Sequence, residues 1–167
     1  MSKKIKILLF VACCITFIGC DRVTKNLAKI HLKDQPEISY YNGTFKLMYV
    51  ENTGAALSLG DNLPKAASFW LLSILPLAFL LVFLIFAYRH VNNMTAGRVF
   101  SFALIFSGGI GNIIDRILYD RHVTDFMNVG FGNIRTGIFN VADICVTAGV
   151  IGLLLFRTSL PKENTTA

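Results

Sequence analysis

Residues 66–88 read AASFWLLSILPLAFLLVFLIFAY, a run without a single charged side chain. At 1.5 Å of rise per residue such a helix crosses the bilayer's hydrocarbon core of about 30 Å. The rest of the chain agrees with that reading. Of its 167 residues 54% are hydrophobic and 16% charged, too little charged surface for a soluble protein of one domain. The net charge of +6 is therefore read as membrane topology. No basic stripe with interleaved aromatics accompanies it, so nucleic-acid binding is not expected.

Three further apolar runs flank this one: Ile7 to Cys20, Val99 to Ile114, and Thr136 to Phe156, the last interrupted only by Asp143. The first is ambiguous. Its length suits a signal-peptide core, and FIGC at 17–20 resembles a lipobox, the motif cleaved just before its cysteine in bacterial lipoprotein precursors. A precursor continues into a polar mature domain, whereas here three more apolar runs follow. The opening run is thus expected to be a first helix that continues through Asp21 and Lys25, with no self-processing at Cys20.

The expected fold is an all-α membrane protein, a bundle of four transmembrane helices at about 6–25, 66–88, 98–118 and 137–156. A small extracytoplasmic β-sheet is expected within 33–64. There EISYYNGTFKLMYV reads as two strands around Asn42-Gly43, a hairpin turn signal. Lys3, Lys4, Lys6, Arg89, Arg98, Arg157 and Lys162 lie beside alternate ends of the runs and place both termini in the cytoplasm by the positive-inside rule. The cysteines Cys13, Cys14, Cys20 and Cys145 have neither metal spacing nor the look of a disulfide framework.

In this topology the polar residues of the spans collect at one level near the outer face: Asp21 and Lys25, then Asn112, Asp115 and Arg116, then Asn140 and Asp143, with Asp125 in the following loop. Ionisable side chains inside a membrane are costly, so the default reading is functional. Bland roles compete. Asp115 with Arg116 reads as a charge pair at a helix end, Asp21 with Lys25 as a local i,i+4 pair, and Gly108, Gly109 and Gly111 as helix packing. Asn112 and Asn140 can simply bridge helices. Asp143, in the apolar context FNVADICVTAGV, has no basic residue within two turns and resists a structural reading. Two close carboxyls in a low dielectric cannot both ionise, which leaves one base and one acid, the requirement for aspartic peptide hydrolysis. Asp125 and Asp143 are the candidates, although two isolated Asp residues are a weak signal by themselves. His31, His90 and His122 form no HExxH; His122 and Asp125 lack a further ligand pair, so no metal is expected. A small transporter using Asp143 as an ion or proton site is the alternative, but it calls for an internal repeat and none is found.

Five blocks then carry a family resemblance: DRVTK at 21–25, NTGAA at 52–56, GGIGNIIDR at 108–116, VTDF at 123–126 and FNVAD at 139–143. In that order, on four apolar runs, the chain resembles bacterial lipoprotein signal peptidase, or signal peptidase II, along nearly its whole length. The resemblance implies an intramembrane aspartyl endopeptidase of the bacterial inner membrane without a cofactor. Its catalytic pair would be Asp125 and Asp143. Supporting roles fall to Asn52, Gly54, Gly108, Asn112, Asp115, Arg116, Asn140 and Ala142, with Asp21 and Lys25 as a structural polar pair. The implied substrates are lipid-modified prolipoproteins, cut on the amino side of the lipidated cysteine by an enzyme working as a monomer among membrane lipids. The loop NTGAALSLG is expected to close over the substrate.

Overall fold

The computed structural model describes residues 1–54 and 63–156. The loop residues 55–62, Arg157, Lys162 and the tail lie outside that range, and with them most of the expected closing loop.

Helix α1 spans Lys3–Leu32. Ser2 caps it, its Oγ accepting from Ile5 N, and it runs without a break through Cys20, Asp21 and Lys25. The lipobox-like FIGC is therefore an internal part of a long helix. Helix α2, Lys65–Asn93, contains the charge-free run and ends in a 3₁₀ turn at Val91–Asn93. Its turn at Trp70–Ile74 is widened to a π-helix just before Pro76. Proline has no N–H to continue an α-helical ladder and its ring crowds the preceding turn, so the wider turn accommodates it without breaking the helix. Helix α3 spans Ala96–Leu118 with Thr95 as its cap, and α4 spans Val141–Leu155. By length and composition α1, α2 and α3 can each cross a membrane, and α4 is a shorter apolar helix.

Helix α3 is the centre of the bundle, and the other three pack around it. Its burial continues through Val99, Phe102, Ala103, Ile105, Ser107, Gly108 and Ile113. Small residues set the closest approach, as expected where van der Waals fit must hold helices together within lipid. A Cβ on Gly108 would overlap the Ala142 carbonyl oxygen and lie 2.8 Å from Val146 Cγ2. One on Gly149 would lie 2.8 Å from the Ser101 carbonyl oxygen. On the opposite side Phe83 of α2 stacks on Phe102 with centroids 4.5 Å apart.

Four antiparallel strands form one sheet in the order β1 (Ile38–Tyr40), β2 (Phe45–Asn52), β3 (Val123–Phe131), β4 (Ile134–Arg135). Tyr41, Asn42 and Gly43 all take positive φ in the β1–β2 turn, the conformation that Asn and Gly tolerate best. Only β1 and β2 come from the segment where the sheet was expected. The other two strands follow α3, so Asp125 lies on a strand and not in a loop. The last helix also starts later than the apolar run from Thr136 implies, because Phe139 remains extended and bridges to Met127.

The bundle has two unlike ends. At one, the Lys6 ammonium donates to the Val91 and Asn92 carbonyls (3.1 and 2.8 Å), satisfying the open C-terminus of α2, and Arg98 Nη1 donates to the Phe156 carbonyl. At the other lie the sheet, the end of α1, the end of α3 and the start of α4.

Candidate active site

The site is assembled at the sheet end from five segments. Helix α4 begins with a reciprocal capping box. Asn140 Oδ1 accepts from the Asp143 N–H and Asp143 Oδ2 accepts from the Asn140 N–H, both at 3.0 Å. Asp21 of α1 adds a second cap, its Oδ1 accepting from the Ala142 N–H at 3.0 Å. Two orphan donors of the first turn, the Ala142 and Asp143 N–H groups, thus find side-chain oxygen partners, and the same contacts hold Asp143 in place. Gly111 leaves the room: a Cβ there would lie 2.7 Å from Asp21 Oδ2.

Asp125 arrives on β3, where the register matters. Leu47 pairs with Met127 but Val50 pairs with Asp125, so β2 carries one extra residue between these points. That bulge shifts the parity of all that follows. Asn52 then pairs with Val123 and becomes the same-face diagonal neighbour of Asp125. Without the extra residue the Asn52 side chain would face away. Its Nδ2 donates to Asp125 Oδ2 at 3.0 Å, and its Oδ1 accepts from the Gly54 N–H at 2.9 Å.

One side chain joins the two acids. Asn140 Nδ2 donates to Asp125 Oδ1 at 2.7 Å and to Asn112 Oδ1 at 3.1 Å. Asn112 Nδ2 in turn donates to Asp143 Oδ1 at 2.8 Å. Every carboxylate oxygen of Asp125 and Asp143 therefore receives a hydrogen bond. Asp125 is 3% exposed, and burial pushes its carboxyl up to about 6; the donor from Asn52 opposes the rise, the negative charge of Asp143 reinforces it, and the donor from Asn140 opposes it.

Beneath the acids lies an ion network with Lys25 at its hub. Its ammonium is 2.7 Å from Asp21, 2.9 Å from Asp115 and 3.0 Å from Asn112 Oδ1. Asp115 also pairs with Arg22 at 2.5 Å. The expected Asp115–Arg116 pair does not form. Consecutive residues on a helix point about 100° apart, so Asp115 turns toward α1 while Arg116 turns to the segment that follows β2. There Arg116 Nη2 donates to the Gly54 carbonyl at 2.8 Å.

The structure brings together all twelve residues singled out from the sequence. Gly108 serves through packing, Ala142 through its N–H, and the others through side chains or, for Gly54, through its backbone. Sequence reasoning missed Arg22, and also Asn128 and Arg135, which hydrogen-bond each other while Arg135 Nη1 reaches the Gly43 carbonyl at 2.8 Å and ties β4 to the β1–β2 hairpin. The spacing of Arg22 next to Asp21 was the available signal. The cap was legible too: Asn140 with Asp143 three positions later is an N-terminal helix signature.

Asp125, Asp143, Asn52, Asn112 and Arg116 line one cavity of about 770 Å³, whose wall continues along α4 past Ile144 and Thr147 to Ile151. Among the described residues no group of three or more His, Cys, Asp or Glu is placed to hold a metal.

Fold and cavity together define a multi-pass membrane protein with a carboxylate-lined pocket at one end of its helices. The family model described as signal peptidase (SPase) II matches residues 13–159, and the chain belongs to that family, which makes it a protease. It is 31% identical to a lipoprotein signal peptidase of Borrelia duttonii over 98% of this chain and 96% of the relative. With that of Chlorobium phaeobacteroides it shares 37% identity, over 89% and 94%. A bacterial membrane enzyme solved by the in meso method at 2.3 Å resolution superposes with a TM-score of 0.71 at 28% identity, covering 98% of this chain and 95% of the other.

Proposed function

We propose that this protease removes signal peptides from diacylglyceryl-modified prolipoproteins by aspartic chemistry, cutting on the amino side of the lipidated cysteine. The observation that carries the reading is the single Asn140 side chain that hydrogen-bonds Asp125 while capping the helix turn that bears Asp143. Two carboxyls held in one partly apolar cavity share a proton more readily than they both ionise. The ionised member takes a proton from water as the oxygen attacks the scissile carbonyl. The protonated member donates to the carbonyl oxygen, and a proton then passes to the leaving amine. Because the pair titrates as a unit, the roles belong to the dyad.

The neighbours support this reading. Asn52, Asn112 and Asn140 hold the acids by neutral hydrogen bonds that leave one proton free to move between them. Arg116 holds the Gly54 carbonyl, so the outer segment begins directly above the acids. The apolar wall along α4 suits the acyl chains of the substrate, which stay at hydrocarbon depth while the peptide bond meets water at the sheet end. The basic ends of α1 and α2 support a topology with both termini in the cytoplasm and the acids near the outer face.

The test is purified protein in detergent with a diacylated lipobox peptide. Asp125→Asn and Asp143→Asn should each abolish cleavage while melting temperature and helicity stay near those of the parent. Full-speed cleavage by either variant would end the aspartic reading.

A further inference from the structure

At the basic end of the bundle, opposite the acids, a second cavity of about 650 Å³ separates α1 from α2. Both helices pack on α3, and they approach each other mainly at the base, where Lys6 caps α2 and the Lys3 ammonium lies 4.6 Å from the Tyr88 ring centroid. The floor of the groove is α3, through Phe102 and Phe106. One wall runs from Ile7 to Gly19 on α1, about 18 Å at 1.5 Å per residue. That length matches one leaflet of hydrocarbon, half of about 30 Å.

Among the described residues the mouth has a single sign of charge. Lys3, Lys4 and Lys6 precede the first wall and Arg89 follows the second, while the sequence has no Asp or Glu before Asp21 or between residues 66 and 114. The Lys6 ammonium is already engaged by two carbonyls; Lys3, over the Tyr88 ring that lines the groove, and Lys4, three positions before Ile7 on the same helix face, are exposed and placed to meet a headgroup.

We infer that this groove is a binding site for one anionic phospholipid, an acyl chain lying between α1 and α2 and the phosphate resting on Lys3 and Lys4. Charge selects this occupant. A signal peptide also has an apolar core, but its basic leading segment would meet the lysines with like charge. Nothing in this site takes part in the proposed chemistry at Asp125 and Asp143, so the two readings stand or fall separately.

Native mass spectrometry of the detergent-purified protein, titrated with phosphatidylglycerol or phosphatidylcholine of identical chains, tests the inference. With two lysines worth about 1 kcal/mol each at an anionic surface, phosphatidylglycerol should bind about thirtyfold more tightly at low salt. Lys3→Gln with Lys4→Gln should remove most of that preference. Val11 lines the groove and is 45% exposed, so Val11→Trp fills the space without entering the core. This variant should lose the first bound lipid yet keep its melting temperature in detergent and its cleavage activity. Equal affinity for the two lipids, a first lipid unaffected by Val11→Trp, or a dimer that Val11→Trp dissociates would each overturn the site.

Discussion

Asn52→Ala addresses the link between hydrogen bonding and proton sharing most directly. Asn52 Nδ2 donates to Asp125 Oδ2 at 3.0 Å, a bond that favours the ionised carboxyl and opposes the rise caused by burial. Hydrogen bonds to charged groups contribute about 1.5–3 kcal/mol. At 1.36 kcal/mol per pKa unit, losing this one should raise Asp125 further, by about one to two units. On the proposed mechanism the dyad is active while it holds one proton, so activity falls at high pH when that proton leaves. Asp125 starts from about 6. A higher value for Asp125 therefore moves the alkaline limb of kcat/KM upward. The assay is the rate of cleavage of a fluorogenic diacylated peptide across pH 4.5–9.5 at constant ionic strength, parent against variant. A limb that stays in place or moves to lower pH, with the variant still active, would refute the assignment of that limb to a dyad that includes Asp125.

Lys25→Met leaves Asp21 and Asp115 buried without the ammonium they share, and removing one partner of a buried ion network costs about 3–5 kcal/mol. Thermal unfolding in detergent should show a drop of well over 5 °C, largely recovered when Asp21→Asn is added. Gly108→Val places a side chain against the Ala142 carbonyl oxygen and Val146, so it should separate α3 from α4 and cut both stability and activity. Gly19→Ala is its control. A Cβ there meets nothing within 4 Å, and the replacement should be neutral or stabilise by up to about 1 kcal/mol. Intact mass of the expressed protein should show Cys20 still preceded by the first part of α1, because FIGC lies within an unbroken helix; a species beginning at Cys20 would contradict this.

Residues 66–88 were legible as a helix because an uncharged run of that length has few other uses; Asp143 stood out as a candidate because its apolar context left it no obvious partner. The β1–β2 hairpin was legible from Asn42-Gly43. What stayed hidden depends on contacts between distant segments. Residues 123–131 are buried on both faces over most of their length, so no in-out alternation marks them as a strand, and their pairing partner lies some seventy positions earlier. The bulge that turns Asn52 toward Asp125 has no signature in FKLMYVEN. Asp115 and Arg116 looked like a pair because adjacency in sequence says nothing about direction around a helix. Their true partners, Arg22 and Lys25 for one and the Gly54 carbonyl for the other, become evident only once α1, α3 and the segment after β2 are brought together.

The bridge between Phe139 and Met127 has a mechanical consequence. It closes the chain between positions 125 and 143 into one compact fold-back, so the two proposed catalytic acids are tied to each other through a short stretch of chain and do not depend only on two rods that can slide past each other. Lipids with shorter or longer tails tilt rods. On the proposed mechanism such a change alters how the substrate's tails are received, while the gap across which the hydrogen ion moves keeps its width.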